Sequence, residues 1–430
     1  MYLFVLIFCL ESTVRKYIFA SVALTLIKYI PLFYKIGTFY ISKSKFHISL
    51  MLLLTFTSLI FANDYFRLEN VFIDLLALFI APSINFFLVD NGYKLLDQRL
   101  VIKILQLIII FGLANAAMSI VQSLLGPTHF LNLGVSGDFD GHTTMGGIAG
   151  KARGIFSVAN GSFQAIAILT ANYIKKTRQY SYYLIRFPER MMNTLIILSL
   201  ASAVLNLTSR SYSLYVLIAV VLPYINIKNV RKLFSLKSLL ISTLVALLIF
   251  IFSPNFLSSI ASLDSFSGGI HRITTAEAPP VRILMRWGVI SDTYPLNFSY
   301  SVFPRVGIGS TINNQDIRDS VVFSTYCPAF IREFEPTRIL CSLGWFNGLL
   351  VLIFFKLGIG LHFFFKGIRL TLKNNDGLSI IGYLLISNSI LYLLAFPFRI
   401  NNSQSMLVVF GIALSCLIYS SKQAYITDST

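Results

Sequence analysis

Residues 101–125 read VIKILQLIIIFGLANAAMSIVQSLL. An apolar run of this length suits the roughly 20 helical residues that cross a hydrocarbon core of about 30 Å. Similar runs recur at approximately 1–11, 16–34, 47–63, 71–90, 101–125, 156–174, 191–208, 211–226, 236–254, 342–365, 379–397 and 403–421. A segment in lipid must satisfy its own backbone hydrogen bonds, so each is expected to be a helix. Alternating strands of about ten residues, the mark of a membrane barrel, do not occur. The expected fold is all-α: a polytopic integral membrane protein with about 12 transmembrane helices.

Composition points the same way. Hydrophobic residues make up 56% of the 430 positions and charged ones 12%, more apolar side chains than a soluble core of this size can bury. The net charge of +17 would suit nucleic acid only if the basic residues shared a soluble face. They lie between the apolar runs instead, which is the pattern of membrane topology. One loop holds Lys35, Lys43 and Lys45, another Lys94, Arg99 and Lys103. Further loops hold Lys175, Lys176, Arg178, Arg186 and Arg190; Lys228, Arg231, Lys232 and Lys237; and Lys366, Arg369 and Lys373. Twelve spans put all of these on one side, so that side and both termini are expected to be cytoplasmic. The N-terminus lacks a basic n-region and a small-residue cleavage site, and reads as the first membrane segment.

Two longer loops fall on the other side. One, at about 126–155, is rich in Gly and holds Asp138, Asp140, His142, Lys151 and Arg153. The second, at about 255–341, lies between spans nine and ten. It is too long to be a mere connection. The expected organisation is 1–254 for the first nine spans, 255–341 for a large periplasmic loop, and 342–430 for the last three spans and a cytoplasmic C-terminus. The large loop has seven Arg, seven acidic residues and no Lys. Arg holds phosphate through two donors at once, so phosphate recognition fits, and so does pairing with the carboxylates. Within it, 281–293 reads as an amphipathic helix with Arg282 and Arg286 four apart on one face. The four cysteines form no metal-binding cluster. Cys327 and Cys341 flank the end of the loop, as a disulfide or as two free thiols.

Three stretches carry candidate chemistry. In LTSRSYSL (207–214), Arg210 sits between two apolar runs, where a charge is expensive unless it is paired or used. In KARGIFSVANGSFQAIA (151–167), Arg153 precedes the sixth span. Asn160 and Gln164 are one turn apart at its start, to line a polar cavity or to pair with neighbouring helices. The third stretch runs from the loop helix through FPRVGIGST (303–311), with Arg305, to IREFEPTRILCSLGWFNGLL (331–350). There Glu333 and Glu335 are expected just above the tenth span. They are candidates for a general base, or for salt bridges to Arg332 or Arg338.

This arrangement resembles the O-antigen polymerase and O-antigen ligase family of bacterial envelope polysaccharide synthesis. The resemblance covers most of the chain as topology. As motifs it covers RGIFSVAN, LTSRSYSL, the Arg–Trp helix with P–VGIG, and LGWFNGLL. Similar family members place an Arg after a Ser at the outer end of a central span, here Arg210, and an Arg in the loop helix, here Arg282 with Arg286 as the alternative. Ligases carry a His-Asn pair before the helix that opens as L-G-x-x-G. The matching REFEPTRILCSLG has no His, which favours the polymerases.

The resemblance implies glycosyl transfer on the periplasmic face of the inner membrane. A growing glycan on undecaprenyl diphosphate would pass to a repeat unit on the same carrier. Arg210 and Arg282 would stabilise the diphosphate leaving group, with Arg153, Arg305, Arg286, Arg338 and Asn160 binding diphosphate or glycan. Glu333 or Glu335 would take the acceptor's proton. No cofactor, metal or nucleic acid is expected. The expected partners are the lipid-linked glycans, the bilayer, a chain-length regulator and a flippase. A ligase, a flippase or transporter, and a structural assembly partner are the alternatives. Against a transporter stand the lack of evident inverted repeats or Gly- and Pro-broken helices, and the few charges within spans, such as Lys28.

Overall fold

The computed structural model describes residues 45–61, 71, 74–95, 98–125, 142–145, 148–152, 154–155, 160–177, 188–205, 210–224, 307, 335–372, 376–395 and 409–420. The predicted spans at 1–11, 16–34 and 236–254 lie outside them, and each of the other nine is helical where described. The first helix among the described residues is α1 (Lys45–Phe61); a π-helical stretch (Leu75–Ile80) leads into α2 (Ala81–Leu95). Then come α3 (Gln98–Leu125), α4 (Asn160–Thr177), α5 (Glu189–Leu205) and α6 (Arg210–Val221). α6 stops where Pro223 removes a backbone donor, and a 3-10 turn (Leu222–Tyr224) follows. After these stand α7 (Glu335–Leu350), a second π stretch (Val351–Leu357), α8 (Gly358–Thr371), α9 (Asp376–Ala395) and α10 (Val409–Ser420). Among the described residues an antiparallel hairpin also forms, β1 (His142–Met145) with β2 (Ile148–Ala152), within the loop before α4.

Two helices among the described residues are long and apolar enough to cross a membrane, Val101–Leu124 and Ser342–Thr371. Their side chains are sorted in the reverse of a soluble protein. On α3 the outward positions Leu107, Ile110, Ala114, Ala117, Val121 and Leu124 are exposed and apolar, at alternating three- and four-residue spacing. Asn115, Ser119 and Gln122 point inward and are buried. Water would favour the opposite arrangement; hydrocarbon favours this one, because an unpaired polar group there costs several kcal/mol.

The tenth predicted span, 342–365, falls within the apolar helix Ser342–Thr371. Ahead of it the last residues assigned to the outer loop are helical, because α7 begins at Glu335, with Pro336 in the first turn where proline fits. The helix then breaks at Gly344, whose φ of 76° and ψ of 163° are not helical. The chain turns sharply there, so that a Cβ on Gly348 would lie 2.9 Å from the Leu340 Cα. The break frees the Ser342 carbonyl, which accepts from the Gly307 N–H at 2.9 Å. This glycine break falls at the start of the span. Charges within the described spans are few: Asp74 and Lys356 are both buried, Lys356 with its Nζ 6.0 Å from the Tyr392 ring centre.

Cross-helix contacts fix the directions. α3 and α4 run antiparallel, with Asn115 at Gln164 and Gly112 at Ala167; so do α4 and α5, with Gln164 at Ser199 and Lys175 at Asn193. α4 and α6 run parallel, with Gly161 at Tyr212 and Lys176 at Pro223. α2 runs parallel to α8, since Phe79 meets Phe355 and Phe86 meets Phe363. α1 opposes them, with His47 at Phe355 and Thr57 at Asn347. α8 and α9 form an antiparallel pair so close that a Cβ on Gly382 would lie 2.8 Å from the Gly367 oxygen. α9 in turn opposes α4, with Tyr383 beside Lys176.

Candidate functional site

α4 and α6 begin side by side at the same end of the bundle. A Cβ on Gly161 would fall 2.8 Å from the Tyr212 Cα, so only glycine permits this approach. The first amides of any helix lack intrahelical acceptors, and each N-terminus carries about half a positive charge. Two parallel helices starting in backbone contact therefore focus positive potential at one spot. Asn160 is the first residue of α4 and Arg210 the first of α6.

Beside these helix ends the chain is drawn back into the bundle. The Gly154 N–H donates to Gln122 Oε1 at 2.7 Å, and the Ile155 N–H donates to Asn115 Oδ1 at 2.9 Å. Both acceptors belong to α3, so at roughly 1.5 Å per residue this strand lies about 10 Å short of the end of α3. Gly154 is buried and takes a φ of 58°, which glycine adopts without strain. Non-helical backbone among membrane helices needs such acceptors.

The acceptors are themselves braced. Asn115 Nδ2 donates to Gln164 Oε1 at 2.8 Å, and Gln164 Nε2 donates to Ser199 Oγ at 2.6 Å and to the Gly112 carbonyl at 3.2 Å. One turn nearer the starts of α4 and α6, the Tyr212 hydroxyl bonds Ser202 and Ser119. Ser213 Oγ donates to the Ala203 carbonyl at 2.8 Å, closing the tight connection between α5 and α6. Of the two roles expected for Gln164, the structure selects pairing between helices.

The candidate residues divide as follows. Asn160 and Arg210 are brought together as neighbouring helix starts. Arg153 lies outside the described residues, one position before the held Gly154. Arg305 lies outside them too, two positions before Gly307, which docks on Ser342. Glu335 opens α7 and Arg338 is in its first turns, so both belong to a helix, not to a loop above it. Arg282, Arg286, Arg332, Glu333, Cys327 and the 281–293 segment lie outside the described residues. Among the described residues, no group of three His, Cys, Asp or Glu stands placed to hold a metal ion.

The sequence reading passed over Asn115, Ser119, Gln122, Ser199 and Ser202. A signal was present, because Gly112, Asn115, Ser119 and Gln122 recur at three- and four-residue spacing within an apolar run. That is the pattern of a small and polar stripe facing other helices. No protein-family model, curated protein or solved structure matches this chain.

Proposed function

We propose that the chain is a bacterial inner-membrane polymerase that joins undecaprenyl-diphosphate-linked oligosaccharide repeat units into O-antigen or capsular polysaccharide on the periplasmic face. The observation that carries this reading is the pair of parallel helix N-termini at Asn160 and Arg210, in backbone contact with each other. Such a spot suits a multiply charged anion held against apolar helices. A polyprenyl diphosphate has that chemistry: an anionic head and a hydrocarbon tail that needs lipid.

In this reading the leaving diphosphate gains charge as the glycosidic bond to the donor breaks. Arg210 and Arg282 stabilise that charge, helped by Arg153, Arg305, Arg286 and Arg338. The acceptor hydroxyl attacks the anomeric carbon, and Glu333 or Glu335 takes its proton. The twelve-span topology with both termini in the cytoplasm is part of the proposal. The helix directions support this reading: α6 and α8 run the same way, as the eighth and tenth of twelve alternating spans would.

A second reading has its own observations. A helix broken at Gly344 and the buried Asp74 and Lys356 are features of transporters, so a lipid-linked glycan flippase is the alternative. One experiment separates them: surface polysaccharide profiling of a deletion strain complemented with the unaltered chain or with Arg210→Ala. A polymerase leaves core plus a single repeat unit in the deletion, and Arg210→Ala fails to restore the ladder at normal protein level. Polymer accumulating on the lipid carrier indicates a ligase. Single units held in the cytoplasmic leaflet indicate a flippase and overturn the site.

A further inference from the structure

We infer that Gln122 and Asn115 are positioning residues, a pair of carboxamides that clamp the non-helical backbone at Gly154 and Ile155 against α3. The inference rests on the polymerase reading for its consequence, and on geometry alone for the clamp.

Two consecutive backbone donors, at Gly154 and Ile155, are each taken up by a side-chain oxygen of α3. The two acceptors are seven residues apart, about two turns, so they lie on one face of the helix. Neither amide is satisfied by the ladder of the preceding hairpin, which ends at Ala152. In sequence one residue, Arg153, separates the hairpin from the clamp.

Orientation is fixed as well as position. A carboxamide has one acceptor oxygen and one donor nitrogen. Because the nitrogen of Asn115 is committed to Gln164 on α4, its oxygen is left to face Ile155. Gln164 is held in turn by Ser199 on α5. The strand, α3, α4 and α5 therefore share one hydrogen-bonded chain, and α4 carries the helix start at Asn160. In the proposed reaction this holds Gly154 and Ile155 at a set place relative to the α4 and α6 N-termini. Catalysis by fixed donors demands such rigidity, since donors that must reorganise lose most of their advantage.

The test compares Gln122→Met, which keeps the length and removes the acceptor, with Gln122→Glu, which keeps an oxygen there. Amide hydrogen exchange of the peptide covering 153–156, measured on the full chain in lipid nanodiscs, reads the clamp directly. Gln122→Met is expected to speed exchange about tenfold and Gln122→Glu to leave it nearly unchanged. Equal exchange in the Met variant and the unaltered chain overturns the clamp, as does unprotected exchange in the unaltered chain. Turnover of purified lipid-linked repeat units reads the positioning role. Gln122→Met is expected to lower kcat with little change in KM, and Gln122→Glu to restore it. If exchange responds as expected while both variants polymerise alike, the positioning role is overturned and the clamp stands. If the unaltered chain does not polymerise, the proposed function fails and the exchange result still decides the clamp.

Discussion

The helices α3 to α6 and the group of α1, α2 and α8 are joined by different forces. The first set meets through Asn115, Gln164, Ser199, Ser202 and Tyr212. The second meets through rings. Phe79 and Phe355 stand edge to face with centroids 4.8 Å apart, and Phe86 lies between His47 at 5.0 Å and His362 at 4.8 Å. In lipid, apolar burial gives no net drive between helices, so contacts rely on packing and hydrogen bonds. Rings suffice where helix meets helix. Where helices must also hold a non-helical strand, specific acceptors are needed, and the polar set is the one that encloses Gly154 and Ile155.

That contrast makes quantitative demands. Gln164→Leu should be the most damaging change. It strands the Asn115 amide and the donors and acceptors around Ser199, at about 1–3 kcal/mol for each group left unpaired. Thermal unfolding in detergent, with protein yield from membranes, would measure it. Phe79→Ala should cost less in spite of the larger volume removed. The transfer term is weak in lipid, and a cavity of roughly 100 Å³ at about 24 cal/mol per Å³ gives about 2 kcal/mol. If Phe79→Ala proved the worse of the two, packing would dominate both regions and the contrast would collapse.

Gly161→Ala should follow, at about 1–3 kcal/mol, because its new Cβ pushes on the Tyr212 backbone. Its effect on the polysaccharide ladder should exceed its effect on stability, since it separates the two helix starts. A proportionate loss of both would argue against a site there. The smallest effect should come from Lys176→Met, about 0.5–1 kcal/mol. Lys176 Nζ donates to the Pro223 carbonyl at 2.7 Å, within the 3-10 turn, at the other end of α4 from Asn160. Unchanged polymerisation in that variant would sharpen the assignment of function to the other end.

The helices were legible because each apolar run is long and the demand for internal hydrogen bonding leaves lipid-embedded backbone few choices. Arg210 and Asn160 were legible as polar residues where a span begins. Their adjacency was not, since it depends on the missing side chain of Gly161, a residue that reads in sequence as ordinary helix. The clamp was hidden for another reason: its donors are main-chain amides, which every residue but proline carries and which leave no mark on the residue pattern. The corner at Gly344 was hidden likewise. The stretch LGWFNGLL reads as the start of a helix, and the break appears only in the backbone angles.

The parallel start of α4 and α6 has a thermodynamic corollary. Like dipoles laid side by side repel, so at these two helix starts the fold is held together against its own field. Any anion that settles there relieves this and stabilises the folded form by mass action, about 2.7 kcal/mol at a hundredfold excess over Kd. Melting of the purified protein then becomes a ligand assay that needs no sugar and no turnover. Pyrophosphate, polyprenyl monophosphate and polyprenyl diphosphate could be ranked by how far each raises Tm, and the order would tell how much of the recognition lies in the charge and how much in the tail.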